Sequence, residues 1–195
     1  MPKSIHDDPA LAEKAYPCGE KTDALARCYC GAIEIVVRTE NPISTGFCHC
    51  IGCRTAHSAP MYHVLYCETG NLDCKTGLEK EGCHEIQIIE GIELLTVVSR
   101  GATVQRDVSK RGLGRLQCSL CGTRMLNALI SSDDGKSRWG VFPSTFTEKL
   151  KNFARSWQPR RHFNCESAIL PLTAICDGLP KYLLGEDGPR IVELD

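Results

Sequence analysis

The chain has 195 residues, 42 % of them hydrophobic and 24 % charged, which is typical of one soluble globular domain with a substantial hydrophobic core. Its 23 basic and 24 acidic residues give a formal net charge of −1, and this balance argues against strong electrostatic binding to nucleic acid or to an anionic membrane. No run approaches about 18 consecutive apolar residues and the first residues lack the apolar core of a signal peptide, so we expect a cytoplasmic protein without a membrane span.

The chain is expected to consist of an N-terminal arm, one domain and a short tail. The arm covers residues 1–22, with a short helix over 10–16, the domain covers 23–185 and the tail covers 186–195. Within the domain, runs that are rich in β-branched or alternating apolar residues predict strands. These runs are 32–38, 61–67, 86–89, 92–98, 125–130 and 139–142.

Turns and loops separate the predicted strands. Residues 90–91 and 132–135 have the composition of tight turns, and the polar stretch 68–85 predicts a loop or hairpin excursion. A helix is predicted from residue 144 or 145 toward 153, because a capping side chain precedes good helix formers. The last forty residues show little periodicity and predict an ordered segment over the core. The fold class is therefore mainly β, with few short helices.

Seven of the thirteen cysteines fall into three tight clusters. The first cluster is Cys28 and Cys30, the second is Cys48, Cys50 and Cys53, and the third is Cys118 and Cys121. An odd number of cysteines without a signal peptide argues against a secreted disulfide scaffold. Thiolates spaced by one or two residues can turn toward a single ion, and zinc binds such ligands at about 2.3 Å. The clusters therefore predict zinc sites.

The first and third clusters together predict a four-thiolate zinc site. A Cys-x-Cys pair and a distant Cys-x-x-Cys pair supply four ligands, and Gly31 and Gly122 directly follow the two pairs. Zinc-binding turns favour glycine there, because the backbone must fold back so that its amides face the sulfurs. Such a site closes a long gap in the chain, so we expect folding to depend on zinc.

The second cluster supplies three thiolates and has no obvious fourth ligand nearby. His49 or His57 would have to swing in, and the side chain of His49 should point away from its cysteine neighbours in an extended segment. We therefore expect a zinc with an open position, which is the arrangement of a catalytic metal. Two alternatives are that both zincs only stabilise the fold, with an eighth ligand from an outlying cysteine, or that the clusters are buried thiols without metal. The outlying cysteines, which otherwise fit small buried side chains, are Cys18, Cys67, Cys74, Cys83, Cys165 and Cys176.

The three clusters occur in the order Cys-x-Cys-Gly, then Cys-His-Cys-x-x-Cys-Arg, then Cys-x-x-Cys-Gly-Thr. This order resembles the glutathione-dependent formaldehyde-activating enzyme (GFA) family, which includes the centromere protein V domain. The resemblance runs from about residue 25 to 127, and residues 91–95, His162 and residues 177–180 resemble further segments of the family. It implies an Mss4-like fold, in which small antiparallel sheets surround a structural zinc.

The resemblance also implies two zinc ions per chain and a reaction. The structural zinc would be bound by Cys28, Cys30, Cys118 and Cys121, and the catalytic zinc by Cys48, Cys50 and Cys53. The reaction of the family joins glutathione, the cosubstrate, to formaldehyde as S-(hydroxymethyl)glutathione. The expected protein is thus a zinc-dependent carbon–sulfur lyase or synthase that acts on a small-molecule thiol and an aldehyde, in either direction. The oligomeric state stays open, a homodimer included.

Three other functions remain open at this stage. The chain differs from the family pattern at residues 55–58 and in the length of the segment before the third cluster, which allows a related thiol adduct of a larger aldehyde in specialised metabolism. A non-enzymatic zinc module could bind a thiol, a protein or nucleic acid, although basic residues 110–115 and 155–161 are expected to be solvated surface. A zinc or thiol-redox buffer would use all the cysteines, and about two zincs per chain would exclude it.

Several side chains near the second cluster are further candidates for the active site. His57 is a candidate proton shuttle or substrate contact, and Arg54 is a candidate for holding a carboxylate of glutathione. Tyr62 and His63 face opposite sides of a predicted strand, so at most one of them should reach the site. His162 is expected to help cover it. For each of these residues, an ordinary packed or solvated side chain is the alternative.

Overall fold

The computed structural model describes residues 19–68, 85–98, 113–130, 137–185 and 188–191. The predicted helix over 10–16, most of the loop over 68–85, the turn over 132–135 and most of the tail lie outside the described residues. Cys18, Cys74 and Cys83 also lie outside them. Within the described ranges, two sheets account for most of the regular structure, so the prediction of a mainly β fold is confirmed.

A three-stranded antiparallel sheet forms one side of the core. Its strands are β1 (Asp23–Arg27), β2 (Glu34–Arg38) and β5 (Ile86–Glu90), in the order β1-β2-β5. Ile35 and Val37 are fully buried and alternate along β2 with the less buried Glu34, Val36 and Arg38, as the period of two predicts. The inner face of this sheet therefore packs entirely on apolar side chains of the core.

A seven-stranded sheet forms the larger part of the fold. Its strands in chain order are β3 (Ser44–Cys48), β4 (Tyr62–Cys67), β6 (Leu95–Val98), β7 (Leu113–Cys118), β8 (Arg124–Ile130), β9 (Ser137–Val141) and β10 (His162–Phe163). They lie in the order β10-β3-β4-β9-β8-β7-β6, and only the short β10 runs parallel to its neighbour. Antiparallel pairing between sequential strands lets short turns place β7 and β8 side by side.

The main core lies between the two sheets and is closed by aromatic residues from the segment after β9. Trp157 stacks on Phe153 with ring centroids 4.9 Å apart, and the indole nitrogen of Trp157 donates a hydrogen bond of 2.8 Å to the carbonyl oxygen of Thr39. Both rings are fully buried. A second, smaller core surrounds the second cysteine cluster and includes Val64, Phe142 and Phe163.

Among the described residues, one α-helix is present, α1 (Ile51–His57), together with six short 3-10 helices. The helix predicted from residue 144 or 145 to 153 is wrong, because the structure has 3-10 turns at Pro143–Thr145 and Leu150–Asn152 with extended backbone between them. The backbone amide of Thr147 donates to the carbonyl oxygen of Leu25 in β1, and this tertiary hydrogen bond holds the segment out of a helix. No described helix is long and apolar enough to cross a membrane.

The ends of the described chain are tied to the core. The amide of Gly19 donates to the carbonyl oxygen of Phe153 at 3.0 Å, so residues 19–22 pack on the domain. Near the other end, His162 forms a parallel bridge with Lys181, which places the residues around 177–182 beside β10. The predicted domain boundaries at residues 22 and 186 stay predictions.

Candidate metal centres and active site

The first and third clusters meet at one point between the two sheets. The sulfurs of Cys28, Cys30, Cys118 and Cys121 all lie within 4.8 Å of one another, and we call this group the four-cysteine site. The Cys28 and Cys30 sulfurs are 3.5 Å apart, and those of Cys30 and Cys118 are 3.8 Å apart. Four sulfurs around a tetrahedral zinc at about 2.3 Å would be about 3.8 Å from one another. The donor set therefore fits a structural zinc.

Two similar turns bring these sulfurs together. After Cys28, the amide of Gly31 donates back to the Cys28 carbonyl oxygen at 3.0 Å, and after Cys118 the amide of Gly122 donates back to the Cys118 carbonyl oxygen at 2.9 Å. Both glycines have left-handed backbone conformations, with φ of 81° and 73°. The amide of Ile33 points at the Cys28 sulfur at 3.2 Å, which is the arrangement that the glycine spacing predicted.

The second cluster forms a three-sulfur group at the start of α1. Cys48 ends β3, Cys50 is the N-cap of α1, and Cys53 lies in the first helical turn. Their sulfurs lie within 4.8 Å of one another, and we call this group the three-cysteine site. Cys48 and Cys53 are buried, whereas Cys50 is partly exposed. Within the described ranges, no histidine, aspartate, glutamate or further cysteine joins the group.

Hydrogen-bond donors from distant strands surround the three-cysteine site. The Tyr62 hydroxyl donates to the Cys53 sulfur at 3.1 Å, and a guanidinium nitrogen of Arg115 lies 3.6 Å from the same sulfur. The side-chain amide of Asn164 donates to the Cys48 sulfur at 3.5 Å. Hydrogen bonds from the thiols of Cys48 and Cys50, assisted by Tyr62 and Arg115, lower the pKa of Cys53, whereas the pKa of Cys48 is raised by its hydrogen bonds to Cys50 and Cys53 and by burial, and that of Cys50 is raised as well. Without a metal ion, negative charge in this group is therefore favoured on Cys53, the sulfur to which Tyr62 and Arg115 donate.

Two buried histidines extend from the three-cysteine site into the C-terminal part of the chain. Nε2 of His49 lies 2.9 Å from Nδ1 of His162, and Nε2 of His162 lies 2.7 Å from a carboxylate oxygen of Asp177. Both histidine side chains are fully buried. Since an aspartate only accepts, His162 donates to Asp177, and in its neutral form its Nδ1 accepts from His49. His49 thus points away from the sulfurs, and its hydrogen bond to His162 holds the loop that carries Cys48 and Cys50.

Comparison with known families adds to this geometry. Residues 23–93 match the family model described as glutathione-dependent formaldehyde-activating enzyme. The match confirms the predicted resemblance to this family over residues 23–93. It contains the first two clusters and ends before Cys118 and Cys121, whose place in the four-cysteine site comes from the fold. The family is generally enzymatic, and its name refers to glutathione, a small thiol, and formaldehyde, a small aldehyde. No curated protein matches the chain.

The structure places the two tentative site residues on α1, where they contact groups other than the sulfurs. The His57 ring stacks on Tyr62 with centroids 4.3 Å apart and packs its edge against Phe142, and burial lowers its pKa to about 4. The Arg54 side chain donates through Nε to the carbonyl oxygen of His49 at 3.0 Å. Their roles in proton transfer and in carboxylate binding stay predictions.

Strand alternation selects Tyr62 over His63. Tyr62 faces the three-cysteine site, whereas His63 lies on the other side of β4, where its Nε2 is 2.7 Å from the Thr45 hydroxyl. The donors Arg115 and Asn164 were not predicted to be near the second cluster, because Arg115 on β7 and Asn164, directly after β10, are far away in sequence. The sequence predicted that Arg115 belongs to a solvated basic patch. The residues around it in the sequence give no sign that its side chain reaches the second cluster.

Proposed function

We propose that the chain is a zinc-dependent carbon–sulfur lyase of the GFA type, which joins the thiol of glutathione to an aldehyde such as formaldehyde and can run the reverse reaction. The observation that carries this proposal is the three-cysteine site. Three converging sulfurs, one of them partly exposed, fit a zinc that still has room for a further ligand. The four-cysteine site has a complete ligand set and fits a structural role.

A zinc ion bound by Cys48, Cys50 and Cys53 would supply a Lewis acid and would lower the pKa of a thiol at its open position. The protein side chains around it keep the ligand sulfurs in place. Tyr62 and Arg115 donate to Cys53, and Asn164 donates to Cys48. These donors stabilise charge on the sulfurs, and they fix the orientation of the two buried ligands while Cys50 faces the open side.

The proposed bond-forming step balances without a redox partner. The thiol of glutathione loses its proton to solvent, and the sulfur electron pair forms a bond to the carbonyl carbon of the aldehyde. The π electrons of the C=O bond move to oxygen, which takes up a proton and becomes the hydroxyl of the hydroxymethyl thioether. The reverse sequence breaks the carbon–sulfur bond and releases thiol and aldehyde.

A cysteine substitution tests the proposal. The loss of free glutathione thiol after addition of formaldehyde is followed for the parent, Cys50→Ser and Cys176→Ser, with the spontaneous rate subtracted. Cys176 is an exposed cysteine outside both sites and is the matched control. We expect Cys50→Ser to lose at least about 90 % of the protein-dependent rate, since it removes a ligand of the proposed open zinc site. Cys176→Ser should match the parent.

Equal rates for Cys50→Ser and the parent would contradict the proposal, provided that circular dichroism shows both variants folded. Metal analysis of the same samples separates the alternatives, with about two zincs expected in the parent and about one in Cys50→Ser. If the protein accelerates thiol loss with a larger aldehyde but not with formaldehyde, the proposed type of reaction stands and the proposed aldehyde substrate is replaced. No rate with any aldehyde, together with two zincs per chain, would favour the non-enzymatic zinc module.

A further inference from the structure

Two arginines of the seven-stranded sheet lie beneath α1, next to the three-cysteine site. Arg115 on β7 reaches the first turn of the helix, where one guanidinium nitrogen is 3.6 Å from the Cys53 sulfur. Arg124 on β8 reaches the last turn, where its Nε donates to the carbonyl oxygen of Ala56 at 3.2 Å. Burial and the positive charge of Arg115 lower the pKa of Arg124, which shows that the two cations are close enough to repel each other.

Neither arginine has a carboxylate partner among the described residues. Nε of Arg115 and one terminal nitrogen of Arg124 are shielded from solvent and meet no hydrogen-bond acceptor in the described part of the chain. Asn127 lies directly opposite Arg115 in the β7–β8 pair and donates to the Tyr62 hydroxyl. Its side-chain oxygen also has no donor there. Unused polar atoms are therefore concentrated on one flank of the site.

The charges on this flank do not balance. Three thiolates and one Zn²⁺ have a formal charge of −1, which Arg115 offsets through its contact with Cys53. Among the residues that the structure describes, no carboxylate then balances the charge of Arg124, which is a partly buried residue. A buried cation without an anion is unfavourable. An anion beside Arg124 and Arg115 would remove this imbalance.

We propose that Arg115 and Arg124 form an anion-binding subsite that takes a carboxylate of the thiol substrate. The proposal rests on the proposed function of the three-cysteine site, and it assigns the carboxylate to these arginines in place of Arg54. A guanidinium binds a carboxylate through two parallel hydrogen bonds, and two neighbouring guanidinium groups strengthen that contact. Glutathione carries two carboxylates as well as its thiol, so an anchor beside Cys53 holds the molecule with its sulfur near the cysteines.

A binding experiment without catalysis tests this subsite. The probes are S-methylglutathione, which has no free thiol, and its diethyl ester, which also lacks both carboxylates. Their affinities for the zinc-loaded full chain are measured by isothermal titration calorimetry. We expect the parent to bind S-methylglutathione at least about tenfold more tightly than the ester. Arg124→Gln should remove most of that difference by weakening S-methylglutathione about tenfold and leaving the ester unchanged.

Three further variants complete the test. Arg138→Gln is the matched control, because Arg138 is an exposed arginine on β9, and it should behave like the parent. Arg124→Lys keeps the charge but loses the two-pronged geometry, so it should retain an intermediate affinity. Arg54→Gln tests the earlier assignment and should leave both affinities unchanged. Thermal unfolding of each variant shows whether α1 is still held in place.

The proposal is overturned if folded Arg124→Gln binds S-methylglutathione as tightly as the parent does. The same is true if Arg54→Gln is the variant that loses affinity for S-methylglutathione. It is also overturned if the parent binds the ester as tightly as the acid, or shows no millimolar binding of S-methylglutathione. No aldehyde and no free thiol enter this titration. Its result is therefore independent of the rate test with Cys50→Ser, and failure of the subsite can be distinguished from failure of the proposed reaction.

Discussion

Single side chains far from the cysteine clusters hold the loop of the three-cysteine site. Asp177 accepts from His162, and His162 shares a hydrogen bond with His49, which lies between Cys48 and Cys50. This chain of contacts fixes the orientation of each imidazole, as carboxylates commonly do for histidines near metals. The aspartate also accepts from the backbone amide of Leu179 at 3.1 Å, and it reaches the three-cysteine site through the two rings, so it is a positioning residue.

Replacement of Asp177 by asparagine should weaken this support. The asparagine keeps the shape but removes the charge that stabilises the His162 contact, so we expect the free energy of unfolding to fall by about 1–3 kcal/mol. Zinc affinity at the three-cysteine site should fall as well, because the loop is less firmly held. Urea unfolding and zinc competition with a chelating dye measure the two effects. Glu166→Gln, an exposed carboxylate nearby, is the control. Unchanged zinc affinity in Asp177→Asn would show that the relay supports the fold alone.

Tyr62 provides a second residue-scale prediction. Tyr62→Phe keeps the ring that stacks on His57 but removes the hydroxyl that donates to the Cys53 sulfur and accepts from Asn127. We expect zinc affinity at the three-cysteine site to fall by about 10- to 100-fold, since donors to metal ligands typically have effects of this size. Competition with a chelating dye measures this zinc affinity. Tyr29→Phe, which alters a tyrosine that is 92 % exposed, should leave the affinity unchanged. An affinity within twofold of the parent would remove Tyr62 from the support of the site.

At the level of elements, the sequence predicts those strands whose apolar residues alternate or run continuously. It does not predict the short strands β1 and β10, nor β3 and β7, because β3 begins with Ser44, Thr45 and Gly46 and β7 mixes glycine, arginine and glutamine with leucine. Of these, β3 and β7 lie inside the large sheet. These strands exist because they pair on both sides within the seven-stranded sheet. The helix α1 is too short for a periodic signal and begins where the Cys50 side chain caps it.

The predicted turn between β5 and β6 depends on one glycine. Gly91 has φ of 73°, and a Cβ atom there would lie 2.1 Å from the carbonyl oxygen of Ala32. We expect Gly91→Ala to reduce the free energy of unfolding by about 1–3 kcal/mol or more, because strain and a backbone clash combine. Urea unfolding measures the change. Gly185→Ala, where a Cβ meets nothing within 4 Å, should leave stability nearly unchanged. Equal stability of the two variants would contradict this account of the turn.

For the molecule as a whole, the two cysteine sites have different positions relative to the core. The four-cysteine site connects the end of β1, in the small sheet, to the β7–β8 turn of the large sheet. The three-cysteine site lies within a smaller core around one loop and one helix. Local spacing was sufficient to predict which cysteines group together. The donors from β4, β7 and the C-terminal segment depend on the tertiary fold, so no local pattern reveals them.

This difference predicts two stages of zinc removal. A chelator should first take the zinc of the three-cysteine site, which we propose to have an open position, with little change in circular dichroism. Removal of the second zinc should unfold the chain, because that ion connects the two sheets. Simultaneous recording of released zinc and ellipticity tests the order, and in Cys50→Ser the first stage should be absent. Loss of ellipticity in proportion to the first zinc would contradict the assignment of the four-cysteine site as the structural one.

The short strand β10 and the residues that follow it complete the three-cysteine site from the late part of the chain. Every clustered cysteine precedes Thr123, whereas His162, Asn164 and Asp177 are translated afterwards. A nascent polypeptide can therefore collect its metal on the ribosome before the supports behind Cys48 and His49 exist. A product of premature termination near residue 160 would still carry all seven clustered cysteines but none of these three residues. We expect it to bind zinc at a three-cysteine site that lacks this support.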